Sequence, residues 1–375
     1  MKILLTGGGS GGHFYPLIAV AEQIERVVRE RHLLQPKFYY MSSDEYDARL
    51  LFERNITFLR VSAGKFRRYF SPLIIIDTCR VVFGVVKAFW KVYSIFPDIV
   101  FSKGGYASLP AVVAAWLLRI PLVIHESDSV PGAVNRWSGK FALRIALSYA
   151  DAALYFPREK VAHTGNPVRQ DISLPQKSGA REFLGLEEGV PVILILGGSQ
   201  GAARINDTVL DILPKLVERY QVIHQTGKVH LAEMKGTTGL VLKDSPHRNR
   251  YHAFDYLSAS ALRMAAGAAE LVISRAGSTI FEIALWGIPS IIIPIEGGAG
   301  DHQRKNAFTY AHAGACVVLE ETNLTPSLLL SEIDRLFANR GELAQLGENA
   351  KKFARPDAAR VIAEEILAIA LEHEK

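Results

Sequence analysis

Ile3-Leu4-Leu5-Thr6-Gly7-Gly8-Gly9-Ser10-Gly11-Gly12-His13 stands near the start of the chain, and Val192-Ile193-Leu194-Ile195-Leu196-Gly197-Gly198-Ser199-Gln200-Gly201-Ala202 recurs near its midpoint. Each stretch is a short apolar run that reads as a buried strand. Glycines follow at once, breaking the strand and admitting a tight turn, and an amphipathic run of helix length comes next. A strand, a glycine turn and a helix in that order open a parallel βαβ unit, and the repeated opening predicts two doubly wound domains.

The same alternation extends outward from both openings. Strands are expected over 2–6, 37–41, 99–102, 121–125, 192–196, 271–274 and 290–294, each followed by a turn and a helix. A chain of 375 residues, 49% hydrophobic, is long enough for two domains with a core each. Thr164-Gly165-Asn166-Pro167-Val168-Arg169 and the polar stretch 171–179 read as the linker, which gives domains 1–165 and 166–356. Pro356 breaks the preceding helix, and the last helix, 357–372, is expected to pack back on the first domain.

Composition excludes several classes. No stretch of about 18 apolar residues runs without a charge, so a spanning helix is disfavoured. Cys79 and Cys316 make neither a disulfide framework nor a zinc spacing, and no secretory-length apolar segment follows Met1. A reducing, cytosolic setting is expected. The formal charge is +5, but residues 60–91 alone hold seven basic side chains and one acid, which leaves a net −1 for the remainder.

Several turns carry chemistry. The glycines 7–12 and the helix start behind them suit an approaching phosphate or sugar, although a bare strand-to-helix turn has the same composition. The opening lacks the acid that a nicotinamide site needs after its second strand, and the Gly-Lys-Ser/Thr of a Walker loop. At the helix start, His13 meets a dipole that disfavours the protonated ring, so it is suited to accept a proton; capping is the plain alternative. Gly277-Ser278-Thr279 presents hydroxyls and N–H groups to a diphosphate. Glu282, a few residues on, is placed to accept from a ribose diol or simply to complement the helix dipole. His125-Glu126-Ser127-Asp128 ends a strand, where open sheets place ligands; its acids could serve as a base, and the spacing is too generic for a metal site.

Taken together, Gly8-Gly9-Ser10-Gly11-Gly12-His13, Lys103-Gly104-Gly105-Tyr106, His125-Glu126, Gly165-Asn166-Pro167-Val168-Arg169, Gly197-Gly198-Ser199-Gln200-Gly201-Ala202 and Asp301-His302-Gln303 with Asn306-Ala307 resemble the MurG family. These are the undecaprenyl-diphospho-muramoylpentapeptide β-N-acetylglucosaminyltransferases of bacterial wall synthesis. The resemblance covers nearly the whole chain. It implies an α/β, GT-B fold of two Rossmann-like domains facing a cleft. The implied reaction moves N-acetylglucosamine from UDP-N-acetylglucosamine to the 4-hydroxyl of the muramoyl sugar of undecaprenyl-linked lipid I, with inversion, giving lipid II, and uses no cofactor or metal. The resemblance further implies that Arg169, Ser199, Gln200, Gly277, Ser278, Thr279, Glu282, Gln303 and Asn306 hold the donor. Ser10, Gly11, Gly12, Tyr106 and Asp128 would complete the substrate site, with His13 the first candidate base and Glu126 the second. Asp128 stands where the family usually has Asn, and the 277–282 turn is one residue shorter than the family's form. The competing readings are a GT-B transferase with another lipid or small acceptor, and a UDP-sugar epimerase or binder.

From residue 73 to 93, Asp77, Arg80, Gly84, Lys87 and Lys91 recur at helical spacing on one stripe and nearly all else is apolar, more than one packing face needs. Part of that surplus, including Ile75, Val82 and Phe89, is expected with Lys65, Arg67 and Arg68 to dock on an anionic membrane surface. A helix buried on both sides is the plain alternative. The expected partner is therefore lipid and not nucleic acid, with peripheral attachment at the cytoplasmic face.

Overall fold

The computed structural model describes residues 1–63, 73–198, 201–297 and 299–373, with side chains for all of these but 73–80, 299 and 373. The chain divides into two compact units, one of residues 1–169 with 355–375, the other of residues 170–354.

The first unit is built on strands β1 (Lys2–Thr6), β2 (Lys37–Ser42), β3 (Ile56–Arg60), β4 (Ile99–Ser102), β5 (Leu122–Glu126), β6 (Arg144–Leu147) and β7 (Val161–His163). They form one parallel sheet in the order β3-β2-β1-β4-β5-β6-β7. The central strands are mostly apolar, with polar residues at their carboxyl ends, because helices cover both faces. On one face, Phe14, Leu17, Ile24 and Val28 of the helix Gly11–Glu30 pack with Ile362, Ile366 and Leu367 of the helix Ala358–His373. On the other, Ala88 and Val92 of the helix Leu73–Ile95 pack with Ala111, Val112 and Ala115 of the helix Leu109–Leu117.

The second unit carries β8 (Val192–Leu196), β9 (Gln221–Gln225), β10 (Tyr251–Phe254), β11 (Leu271–Ser274), β12 (Ser290–Ile292) and β13 (Val317–Val318), parallel in the order β10-β9-β8-β11-β12-β13. Both units therefore reverse their strand order beside their first strand, between β1 and β4 and between β8 and β11. In open α/β sheets the crevice at such a reversal, beyond the carboxyl ends of the strands, is where ligands bind.

The division at 169/170 falls beyond the boundary expected at residue 165, because 166–169 are bound into the first unit. Asn166 Oδ1 accepts from Lys103 Nζ at 3.1 Å, and the Arg169 guanidinium lies 4.2 Å from the centroid of the Tyr15 ring. The chain re-enters this unit beside the same place: Gly165, with φ +87°, has no room for a side chain against Arg355. Six strands were not expected from the sequence: β3, β6, β7, β9, β10 and β13.

Candidate active site

In the first unit the glycine loop runs from the end of β1 into the helix Gly11–Glu30. Gly9, with φ +87°, lets the chain pass over Tyr106: a side chain there would start 3.2 Å from the ring. Ser10 is the extended N-cap residue, and its Oγ lies 2.9 Å from Nδ1 of His13. Gly105, after β4, lies against the other edge of the same imidazole; a Cβ at that position would be 3.4 Å from Nε2. Ser10, Gly11, Gly12, His13 and Tyr106 are thus brought together at the β1/β4 reversal, and all are at least partly open to solvent.

Glu126, at the end of β5, is only 3% exposed. One oxygen accepts from the Asp128 N–H at 3.0 Å, the other from the Gly132 N–H at 3.1 Å and the Asn135 amide at 2.9 Å. Burial pushes its carboxyl up from the ordinary range, with the neighbouring Asp128 adding to the shift. A carboxylate so enclosed organises the loop 126–135, whereas His13 keeps an open face. Beside it, His125 is wholly buried, and burial together with the Lys103 charge holds its pKa well below the usual value.

In the second unit, Gly277, Ser278 and Thr279 form the turn after β11 and start the helix Thr279–Trp286, with Glu282 in its first turn. All four are partly exposed. The Ile280 and Phe281 N–H groups turn back to the Gly277 and Ser278 carbonyls at 3.2 and 3.1 Å; a helix start with two hydroxyls beside it is the kind of place that suits an anion. Asn306 reaches the turn from behind: it is buried and donates to the Ala276 carbonyl at 3.2 Å. Gln303 accepts from the Ile295 N–H at 3.1 Å and so braces the loop after β12. Arg275 is committed to Glu321 and to the Ile293 carbonyl. Gly197 and Gly198 stand across the reversal, after β8; Ser199 and Gln200 lie outside the described residues. Arg169, expected on the donor, stacks on Tyr15 in the first unit.

Of the membrane candidates, Val82 is exposed, while Phe89 is partly buried against the core and stacks on Tyr93. Phe89 follows Val82 by seven residues and so lies at the edge of the same helix face, next to the buried Val92. Lys65, Arg67 and Arg68 and the side chain of Ile75 lie outside the described residues. Among the described residues no helix is long and apolar enough to cross a membrane.

Sequence reading assigned no role to Lys103, Asn135, Asn206 or His224. A lysine directly after a buried strand and before two glycines is a signal in itself, since a charge in that place needs partners.

Residues 3–147 match the glycosyltransferase family 28 N-terminal domain, and residues 192–362 match the family's C-terminal domain. A UDP-N-acetylglucosamine–N-acetylmuramyl-(pentapeptide) pyrophosphoryl-undecaprenol N-acetylglucosamine transferase of Bacillus cereus is 35% identical over 90% of this chain and 92% of its own length. The enzyme of that name from Pediococcus pentosaceus is 34% identical over 96% and 97%. Among solved structures, MurG of Acinetobacter baumannii superposes with a TM-score of 0.72 at 24% identity, covering 98% of this chain and 99% of that one. A UDP-GlcNAc 2-epimerase from Neisseria meningitidis bound to UDP-GlcNAc gives 0.68 at 14% identity, covering 98% and 100%. At these identities both are likenesses of fold, the pair of Rossmann-like units that characterises GT-B proteins. The identity to the named transferases over nine-tenths of both chains places this chain in the family of UDP-N-acetylglucosamine–N-acetylmuramyl-(pentapeptide) pyrophosphoryl-undecaprenol N-acetylglucosamine transferases.

Proposed function

We propose that the protein transfers N-acetylglucosamine from UDP-N-acetylglucosamine to the 4-hydroxyl of the lipid-linked N-acetylmuramoyl-pentapeptide, with inversion. The observation that carries this reading is the pair of glycine turns and helix starts at the two strand reversals, in a chain that shares about a third of its residues with the named transferases. His13 takes the acceptor proton as the acceptor oxygen forms its bond to the anomeric carbon. The bond from that carbon to the diphosphate oxygen breaks, and UDP leaves with the electron pair. The helix start at 277–279 stabilises the charge developing on the leaving diphosphate, and Glu282 holds the ribose hydroxyls.

The acceptor is lipid-bound, and the first unit offers a surface suited to lipid. Phe83 and Trp90 are 64% and 62% exposed on the helix Leu73–Ile95, beside Val82, Val86 and Tyr93. Phe83, Val86 and Trp90, with Leu59, Lys87 and Lys91, border a groove of about 580 Å³. Each cation near an anionic surface contributes about 1 kcal/mol. We place the protein on the cytoplasmic face of the membrane, held by this surface.

The test is incubation with a short-chain lipid I analogue and UDP-N-acetylglucosamine, in parallel with UDP-glucose and UDP-galactose. Disaccharide product and UDP are expected from the first pair. Release with another sugar alone would mark a different transferase, and formation of N-acetylmannosamine would mark an epimerase.

A further inference from the structure

Lys103 directly follows β4 and is 1% exposed. A buried ammonium costs several kcal/mol unless its hydrogens are taken up. Its Nζ donates to His125 Nδ1 at 2.7 Å and to Asn166 Oδ1 at 3.1 Å. The ring can accept there because its Nε2 donates to the Gly165 carbonyl at 3.0 Å, which fixes the tautomer. Burial pulls the lysine's pKa down, and the fields of Glu126 and Asp128 favour its charged form. The side chain therefore joins three places: the turn after β4, the end of β5, and the segment at Gly165-Asn166.

The turn that Lys103 begins is the wall of the candidate acceptor site. Gly104 and Gly105 both have positive φ, +79° and +78°, and two such glycines in succession have wide conformational latitude. Yet Gly105 must lie beside the His13 ring and Tyr106 beneath Gly9. Backbone bonds hold the start of the turn, from the Lys103 N–H to the Thr6 carbonyl at 2.9 Å and from the Gly104 N–H to Ser102 Oγ at 3.1 Å. The Lys103 side chain adds the tie across the sheet.

We propose that Lys103 is a positioning residue: through His125 and Asn166 it clamps the turn 103–106 to β5 and to the 165–166 segment, and so holds Gly105 and Tyr106 against His13 and the glycine loop. The inference rests on the reading above that His13, beside this turn, takes the acceptor proton. Lys103→Met keeps the length of the side chain and removes its donors.

Full-length Lys103→Met should raise KM for the lipid I analogue roughly ten-fold or more and leave the calorimetric Kd for UDP-N-acetylglucosamine unchanged. Backbone amides of 104–106 should exchange hydrogen roughly ten-fold faster. Asn166→Ala, which removes one partner, should shift both readouts in the same direction by less, and it carries the test alone where Lys103→Met does not fold. Unchanged acceptor KM together with unchanged exchange overturns the proposal. So does a loss that runs in parallel with UDP-N-acetylglucosamine affinity and thermal midpoint, since that marks a general packing role. If the unmodified protein fails to transfer the sugar, the functional reading falls, and the exchange comparison still decides whether the clamp exists.

Discussion

His224 shows how a single buried side chain sets a pH limit on stability. It sits in β9, wholly buried, with Nε2 donating to Asn206 Oδ1 at 3.1 Å and Nδ1 accepting from the Tyr251 hydroxyl at 3.0 Å. Burial pulls its pKa down to about 3. In the unfolded chain the same ring takes a proton near about 6.5, so between these values the unfolded state binds more protons. The contribution is complete above the unfolded pKa and is lost as pH falls, by about 1.4 kcal/mol per pH unit. Unfolding free energy is expected to drop by about 2 kcal/mol from this residue between pH 7 and pH 5, and His224→Gln should flatten the slope. Denaturation at the two pH values checks this; an equal slope in the variant would contradict it. For the reaction, His13→Ala should lower kcat about a hundred-fold or more with little change in UDP-N-acetylglucosamine affinity, the usual range for losing a general base. Glu282→Ala should instead weaken nucleotide binding about ten-fold, the loss expected when a charged hydrogen-bond acceptor is removed. The reverse pattern, read by calorimetry and steady-state kinetics, would exchange their roles. His13 and Glu282 could be singled out from the sequence because each lies inside a local motif. Lys103 and His224 were not, because their partners come from other strands and only the folded sheet brings them near.

At the scale of elements, the strands read from sequence were those whose residues are nearly all apolar, β1, β4, β5, β8, β11 and β12, and β2 with its aromatic pair. Of the six missed, five fall into two physical groups; β6, an interior strand, is four residues long and opens on the exposed Arg144. β3, β7, β10 and β13 are edge strands, short or half-covered, so their residues need not be apolar. β9 is buried along its whole length yet reads as polar, because the fold satisfies Gln221, His224 and Gln225: Gln221 exchanges two hydrogen bonds with the backbone of Glu187, at 2.7 and 2.9 Å. The helix Leu73–Ile95 was legible as an apolar helix with a surplus face, but which residues face outward depended on its neighbour Leu109–Leu117. That assignment yields a sharper membrane test. Lys87→Gln with Lys91→Gln should weaken sedimentation with phosphatidylglycerol vesicles about thirty-fold at low salt, at about 1 kcal/mol per cation. Trp90→Ser should weaken it further, and unchanged binding in all three would remove this helix from the docking surface.

For the molecule as a whole, the helix Ala358–His373 crosses back to complete the first unit. Ile366 and Leu367 are fully buried against the helix Gly11–Glu30, and Arg360 adds a surface pair with Glu30 at 2.9 Å. Ile366→Ala is expected to cost about 2–4 kcal/mol, the range for truncating a buried aliphatic side chain, with the salt bridge contributing little. Urea denaturation measures it, and an unmoved transition would show that the helix is dispensable to that core. In the sequence, Pro356 marks only the break before this helix, not where the helix packs. Nor did the sequence show that residues 166–169 stay with the first unit, since that depends on Lys103 and Tyr15 reaching them.

The return has a consequence for how the protein is made. The ribosome delivers residues 1–169 first, but the core around Ile24, Val27 and Val28 lacks Ile362, Ile366 and Leu367 until the segment 358–373 emerges. At about 5–20 residues per second, that wait lasts roughly 10–40 s after residue 169 is joined. The second unit, continuous from 170 to 354, has all its strands in hand before then. The half translated first is thus the half completed last, and a nascent chain stalled before residue 358 carries an open apolar face for chaperones to cover.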